Sequence, residues 1–180
     1  LEVIKKRGVE MKIEYQPIGI VHSPFKEGDK IPFQPSRGKG VSGTVEVFPD
    51  FAQGLDDLEG FSHIILLCHF HRSKGYRLKI VPPLDTQLRG LFATRSPRRP
   101  NPIGLSVVRL LDIHENELSI MDLDILDGTP VLDIKPYFRD LEAETEVRIG
   151  WLEEARKTGK ETGHSDEQPV KRKNGVPSGI

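Results

Sequence analysis

Residues Leu105 to Ile125, LSVVRLLDIHENELSIMDLDI, decide how the chain is read. Two runs rich in Leu, Val and Ile, Leu105–Ile113 and Leu118–Ile125, are separated only by the polar link His114-Glu115-Asn116-Glu117. So short a link joins antiparallel neighbours, and the segment is predicted to be a β-hairpin. Runs of the same kind lie at Tyr15–His22, Gly43–Phe48, Phe61–His71, Leu78–Val81, Leu91–Thr94, Val131–Lys135 and Glu146–Ile149, separated by Gly, Pro and Asp. Short strands at this frequency predict a mainly β protein, a barrel or a sandwich. Helical periodicity is confined to Phe51, Leu55 and Leu58 behind Pro49-Asp50, and to Trp151–Lys157, so the helices are short and number one or two.

Just upstream of the quoted stretch, Thr94–Gly104 reads TRSPRRPNPIG, with three arginines, three prolines and no acidic residue. Pro97, Pro100 and Pro102 fix φ and remove backbone donors, which excludes a helix or a central strand. The result is a stiff cationic loop whose Arg95, Arg98 and Arg99 offer planar forks suited to phosphate or carboxylate. Just downstream, Asp127-Gly128-Thr129-Pro130 has turn chemistry: Asp127 can bond the backbone ahead, Gly128 can take positive φ, and Pro130 stops a helix. An ordinary hairpin turn would account for these four residues. Three carboxylates, Asp124, Asp127 and Asp133, are expected to crowd that turn, which is unfavourable unless a cation or donor sits among them.

Together these two segments resemble the TsaA-like family, also called TrmO: S-adenosylmethionine-dependent tRNA adenine N6-methyltransferases built on a β-barrel. The resemblance rests on Thr94-Arg95-Ser96 with Arg99-Pro100-Asn101-Pro102-Ile103-Gly104, and on Asp127-Gly128-Thr129-Pro130-Val131-Leu132-Asp133-Ile134-Lys135-Pro136-Tyr137. Weaker matches at Ile18-Gly19, His22–Lys26, Pro32–Pro35 and Phe61–His71 follow in the same order, so the resemblance spans roughly Tyr15 to Trp151. The weakly periodic residues 1–12 are expected as an N-terminal arm, 13–158 as a single barrel domain, and the polar, Gly- and Pro-containing 159–180 as a mobile tail; the resemblance concerns the barrel. It implies S-adenosyl-L-methionine bound by Pro32, Phe33, Gln34, His71, Arg72, Arg95, Leu105 and the turn Asp127, Gly128, Thr129 and Pro130. Arg98, Arg99, Asn101 and Lys135 would meet the RNA, and Asp133 and Tyr137 are the candidates for accepting the proton or orienting the nucleotide. The substrate it implies is threonylcarbamoyladenosine beside the anticodon of threonine-accepting tRNA, and the assembly a homodimer.

Composition limits the alternatives. A net charge of −1 gives no global nucleic-acid signature, so RNA contact must come from local patches such as Arg95–Arg99. DNA is not expected as a partner. Cys68 is the only cysteine, which excludes an intrachain disulfide and fits a reducing, cytoplasmic compartment. Embedded in an apolar run, it reads as a small core residue. No apolar stretch reaches the length of a membrane helix. Gly38–Gly43 matches GxGxxG, but the alternating Thr44–Phe48 follows where a nucleotide-binding helix should begin. His63, His69 and His71 are expected along one strand face, with no fourth ligand nearby, so no metal is expected. The remaining alternatives are a non-catalytic module binding S-adenosylmethionine or tRNA, and a methyltransferase for another RNA or a small molecule.

Overall fold

Along His63–His69 every second side chain is buried, with Ile64, Leu66 and Cys68 at 1% exposure or less, the signature of a strand with one face on a core. In the computed structural model of the chain, which describes residues 13–29, 39–138 and 148–157, that strand belongs to a closed barrel. The strands are β1 (Gly19–His22), β2 (Ser42–Val47), β3 (His63–His69), β6 (Ile103–His114), β7 (Glu117–Met121) and β8 (Thr129–Pro136). Their order around the barrel is β1-β2-β7-β6-β3-β8, and every pair is antiparallel. Closure leaves no open sheet edge. Inside pack Val21, Val45, Val47, Val108, Leu118, Ile120 and Val131, each at 1% exposure or less and each stabilising the fold by roughly 1.5–3 kcal/mol.

The predicted hairpin is β6–β7, turning at Glu115, whose φ is +55°. The predicted run Leu118–Ile125 is a strand only to Met121. Asp122 takes φ +68°, and the chain leaves the sheet to fold Leu123 and Ile125 over the barrel mouth, where both are buried. The connector 122–128 is therefore not a hairpin turn. It crosses from β7 to β8, strands that are not neighbours, and Thr129 and Pro130 already belong to β8. Gly128 has the expected positive φ, +71°.

Between β3 and β6 the chain makes an excursion over residues 70–102. It holds a two-stranded ladder, β4 (Lys79–Ile80) with β5 (Arg89–Gly90), and a 3₁₀ turn at Leu91–Ala93 where a strand was expected. Apolar composition misled there: Leu91 is buried at 1% exposure while Phe92 and Ala93 are exposed, a one-residue anchor and not a strand face. The helix α1 (Trp151–Lys157) donates Trp151 Nε1 to the Ala93 carbonyl at 2.9 Å. Pro49–Leu55 forms a 3₁₀ helix. The expected arm and tail, residues Pro32, Phe33 and Gln34, and most of the expected strand Glu146–Ile149 lie outside the described residues; Arg148 and Ile149 are not in a strand.

Candidate functional site at one rim of the barrel

Strand pairing decides which loops meet. His69 at the end of β3 lies opposite Ile103 at the start of β6, and Cys68 opposite Val131 near the start of β8. The arginine loop entering β6, the turn leaving β3 and the acidic connector entering β8 therefore stand side by side on one rim. The end of β1 joins them, since Val21 pairs with Thr129.

Each connector is fixed by bonds to the next. Phe70 N donates to the Pro102 carbonyl at 2.8 Å and Ser73 Oγ to the Pro97 carbonyl at 2.9 Å. Gly104 lets the Phe70 ring lie against the strand there, where a Cβ would force that ring to shift. Inside the arginine loop, Arg99 Nη1 donates to the Thr94 carbonyl at 2.8 Å, with its guanidinium 5.6 Å from the Phe92 ring centre. Arg95, Arg98 and Asn101 are exposed.

On the acidic side, Asp127 accepts from Ser23 N at 2.9 Å and from Lys26 Nζ at 2.6 Å. These bonds, the Lys26 one first, hold its carboxyl below the ordinary value. Asp127 N and Gly128 N donate to the carbonyls of Phe25 and Val21. Asp124 sits deeper and accepts from Ser106 Oγ at 2.7 Å. Burial raises its pKa, while the Ser106 bond and the Arg95 charge act in the opposite direction. The expected crowding of three carboxylates is thus corrected. Asp124 and Asp127 have separate donors, and Asp133 lies away from the turn, down β8 past the bulge at Leu67/Cys68. The Asp124–Ser106 pair is the feature sequence reasoning missed. Ser106 alternates inward with Gly104 and Val108, a periodicity that could have revealed it.

His71 lies beyond the end of β3, so it does not share the face of His63 and His69. Burial first, then the neighbouring Arg72 charge and His69, lowers its pKa from 6.5, which keeps the ring neutral at neutral pH. Its Nδ1 is buried and has no hydrogen-bond partner among the described residues. An orphaned polar atom next to exposed backbone and guanidinium groups fits a nucleoside-bearing ligand, whose heteroatoms would satisfy it. Arg72 makes a long ion pair with Glu27, 3.6 Å. Among the described residues no group of three or more His, Cys, Asp and Glu side chains is placed to hold a metal.

The remaining predicted residues sit on the outer wall. Leu105, Leu67 and Asp133 form one row across β6, β3 and β8, and Lys135 lies in the next row opposite Ile65. Asp133 and Lys135 form an ion pair at 2.7 Å, and Asp133 also borders a groove of about 540 Å³ with Asp50 and Gln53. Tyr137 lies at the opposite end of β3, its N donating to the His63 carbonyl. Six residues of strand, roughly 20 Å, separate that point from His69, so this subunit does not bring Tyr137 to the rim.

Residues 20–143 match the sequence model of the tRNA-methyltransferase O N-terminal domain. A protein of Pyrococcus abyssi named as a probable S-adenosyl-L-methionine-binding protein is 57% identical over 143 residues, covering 79% of this chain and 78% of its own. The tRNA (adenine(37)-N6)-methyltransferase of Escherichia coli is 38% identical over 152 residues, 79% of this chain and 65% of that enzyme. The crystal structure of TrmO from Pseudomonas aeruginosa superposes with a TM-score of 0.65 at 40% identity, over 78% of this chain. This chain spans only 63% of that solved one.

Proposed function

The chain belongs to the tRNA-methyltransferase O family, and from that premise we propose that it methylates N6 of an adenosine in tRNA with S-adenosylmethionine as donor. The target we propose is threonylcarbamoyladenosine beside the anticodon of threonine-accepting tRNA, and the compartment the cytoplasm. The observation that carries this reading is the meeting of the arginine loop, the His71 turn and the Asp124–Pro130 connector at one rim, around the unpartnered Nδ1 of His71.

Bound S-adenosylmethionine supplies an electrophilic methyl carbon on a sulfonium. The chain's own contribution is alignment and the exclusion of water. Neutral His71, Arg72, Arg95 and Leu105 would hold the donor together with the backbone of Asp127–Pro130 and with Pro32, Phe33 and Gln34. The Asp127 carboxylate, already occupied by Ser23 and Lys26, shapes the rim. Asp124, which accepts from Ser106 Oγ and lies near the Arg95 charge, lines the same rim. Arg98 and Asn101 stand free to meet RNA phosphate or the carboxylate of a threonylcarbamoyl group. Arg99 is partly committed to its own loop. We propose Asp133, on the outer wall in the row of Leu105 and ion-paired with Lys135, as the acceptor of the proton shed by the amine. Tyr137 reaches a rim only from a second subunit.

We propose that second subunit as a two-fold partner. Ile103 and Leu105, 40% and 55% exposed, continue with Ile65, Leu67 and Val107 into an apolar outer wall on β6 and β3, which supports burial against its own copy. Light scattering should report a dimer for the wild type and a monomer for Leu105→Glu. A monomeric wild type refutes the pairing.

Methyl transfer is tested with labelled S-adenosylmethionine and tRNA carrying or lacking the threonylcarbamoyl group. Label should enter only the modified tRNA, and Arg95→Ala should lose more than about tenfold, the cost of one charge-assisted bond, while melting normally. Transfer to unmodified tRNA or to a small molecule would refute the substrate; donor binding without any transfer would make the protein a binding module.

A further inference from the structure

The excursion carries a charge that the whole-chain balance conceals. Residues 72–99 hold eight basic side chains and one acidic one, Asp85, so the other residues together carry eight more acidic than basic groups in a chain of net charge −1. That segment is ordered by its own contacts. Leu91 N donates to the Leu78 carbonyl at 2.8 Å, Asp85 pairs with Arg89 at 2.6 Å, and Arg89 lies 5.6 Å over the Trp151 ring.

Three of the eight cations are engaged: Arg72 with Glu27, Arg89 with Asp85, and Arg99 with the Thr94 carbonyl. Lys74, Arg77, Lys79 and Arg98 are exposed and form no ion pair with another described residue. Like charges at this density repel one another unless a polyanion neutralises them. Among them stand two exposed aromatic rings, Tyr76 at 56% and Phe92 at 74% exposure, the latter with the Arg99 guanidinium stacked near it. Cations that track a phosphate chain, interleaved with rings that stack on unpaired bases, match a folded RNA with a single-stranded loop. An anionic lipid surface would also accept the charges and the rings, but the excursion is continuous with the arginine loop of the RNA-methyltransferase rim, which favours RNA as its occupant.

We propose that the excursion is an RNA-docking platform, in which Lys74, Arg77 and Lys79 hold the phosphates of a stem–loop while Phe92 stacks on an unpaired base beside the rim. This rests on the RNA-methyltransferase reading and extends it from the Arg95–Asn101 loop to Lys74, Arg77, Lys79 and Phe92, four residues of the excursion that are not part of the rim. Its geometry follows from the topology: the platform leaves β3 and re-enters at β6 through the same arginine loop, so RNA held on it presents its loop to the rim.

The test is fluorescence anisotropy of the full chain with an anticodon-type stem–loop RNA over a series of salt concentrations. Replacing Lys74, Arg77 and Lys79 together by Gln should weaken binding by more than about tenfold and reduce the slope of log K against log salt by about 2–3, the counterions of three phosphate contacts. Phe92→Ala should weaken binding roughly fivefold or more with the slope unchanged, as expected for a lost stack. S-adenosylmethionine binding and melting should be unaltered in both. If the wild type binds RNA with a steep salt dependence and the triple variant matches it, the platform is refuted and the methyltransferase reading survives. A wild type that binds no RNA overturns both. A wild type that binds phosphatidylserine vesicles more tightly than RNA, losing that binding in the triple variant, assigns the surface to lipid and overturns the platform.

Discussion

Cys68 points into the barrel beside Gly104 of the neighbouring strand, and burial together with the nearby Asp124 charge pushes its thiol up to about 12. A thiol attacks as its thiolate, so at pH 8 the native protein should react with a disulfide reagent orders of magnitude more slowly than a free cysteine. Absorbance release from such a reagent should be slow until denaturant is added, then stoichiometric; fast release from the native protein would mean that the rim opens down to the second layer of the core. The apolar run Ile64–Phe70 made the burial of this cysteine legible in advance. Its carboxylate neighbour was not, because Asp124 and Cys68 come together only through the crossing connector.

Among elements, the strands with strict alternation were legible and those decided by tertiary context were not. β3, β6 and the β6–β7 turn stand near where their sequence places them, since period-two burial leaves one register with the apolar set inside. The sequence places residues up to Ile125 in a strand and Asp127–Pro130 in a turn, whereas the 122–128 connector leaves the sheet and buries Leu123 and Ile125, which close the barrel mouth. Asp127 holds this connector to β1, and its two bonds separate by substitution. Asp127→Ala loses both the Ser23 bond and the Lys26 pair, and should cost about 1–2 kcal/mol in urea unfolding. Asp127→Asn keeps an acceptor for Ser23 N and gives up only an ion pair whose lysine is exposed, so it should cost under about 1 kcal/mol. Equal losses in the two variants would show that the charge, and not the backbone bond, fixes the rim.

For the whole molecule, the barrel is polarised: one end carries the excursion, the His71 turn and the crossing connector, the other the tight Glu115 turn. That polarity was readable only in part, because the order of motifs is visible in a sequence while strand neighbours are not. The rim's charges also write themselves into the stability of the entire fold. Asp85, Asp122 and Asp127 have lowered pKa values, held down chiefly by Arg89, by Gly40 N and by Lys26 respectively. Their contributions are present above the unfolded carboxylate value of 3.8 and are lost as pH falls through the lower folded values. Asp124 has the opposite sign: its raised pKa favours the fold fully below 3.8, and that advantage is lost as pH rises through the folded value. Asp124→Asn keeps an acceptor for Ser106 Oγ and removes the titration. Its melting temperature relative to wild type should therefore rise between pH 3 and pH 7, while both proteins lose stability below about pH 4 as the other three carboxylates take up protons. Thermal melts at unit pH steps measure this, and a difference between the two proteins that stays constant with pH would mean that Asp124 is solvated in the native state, with the connector standing open above it.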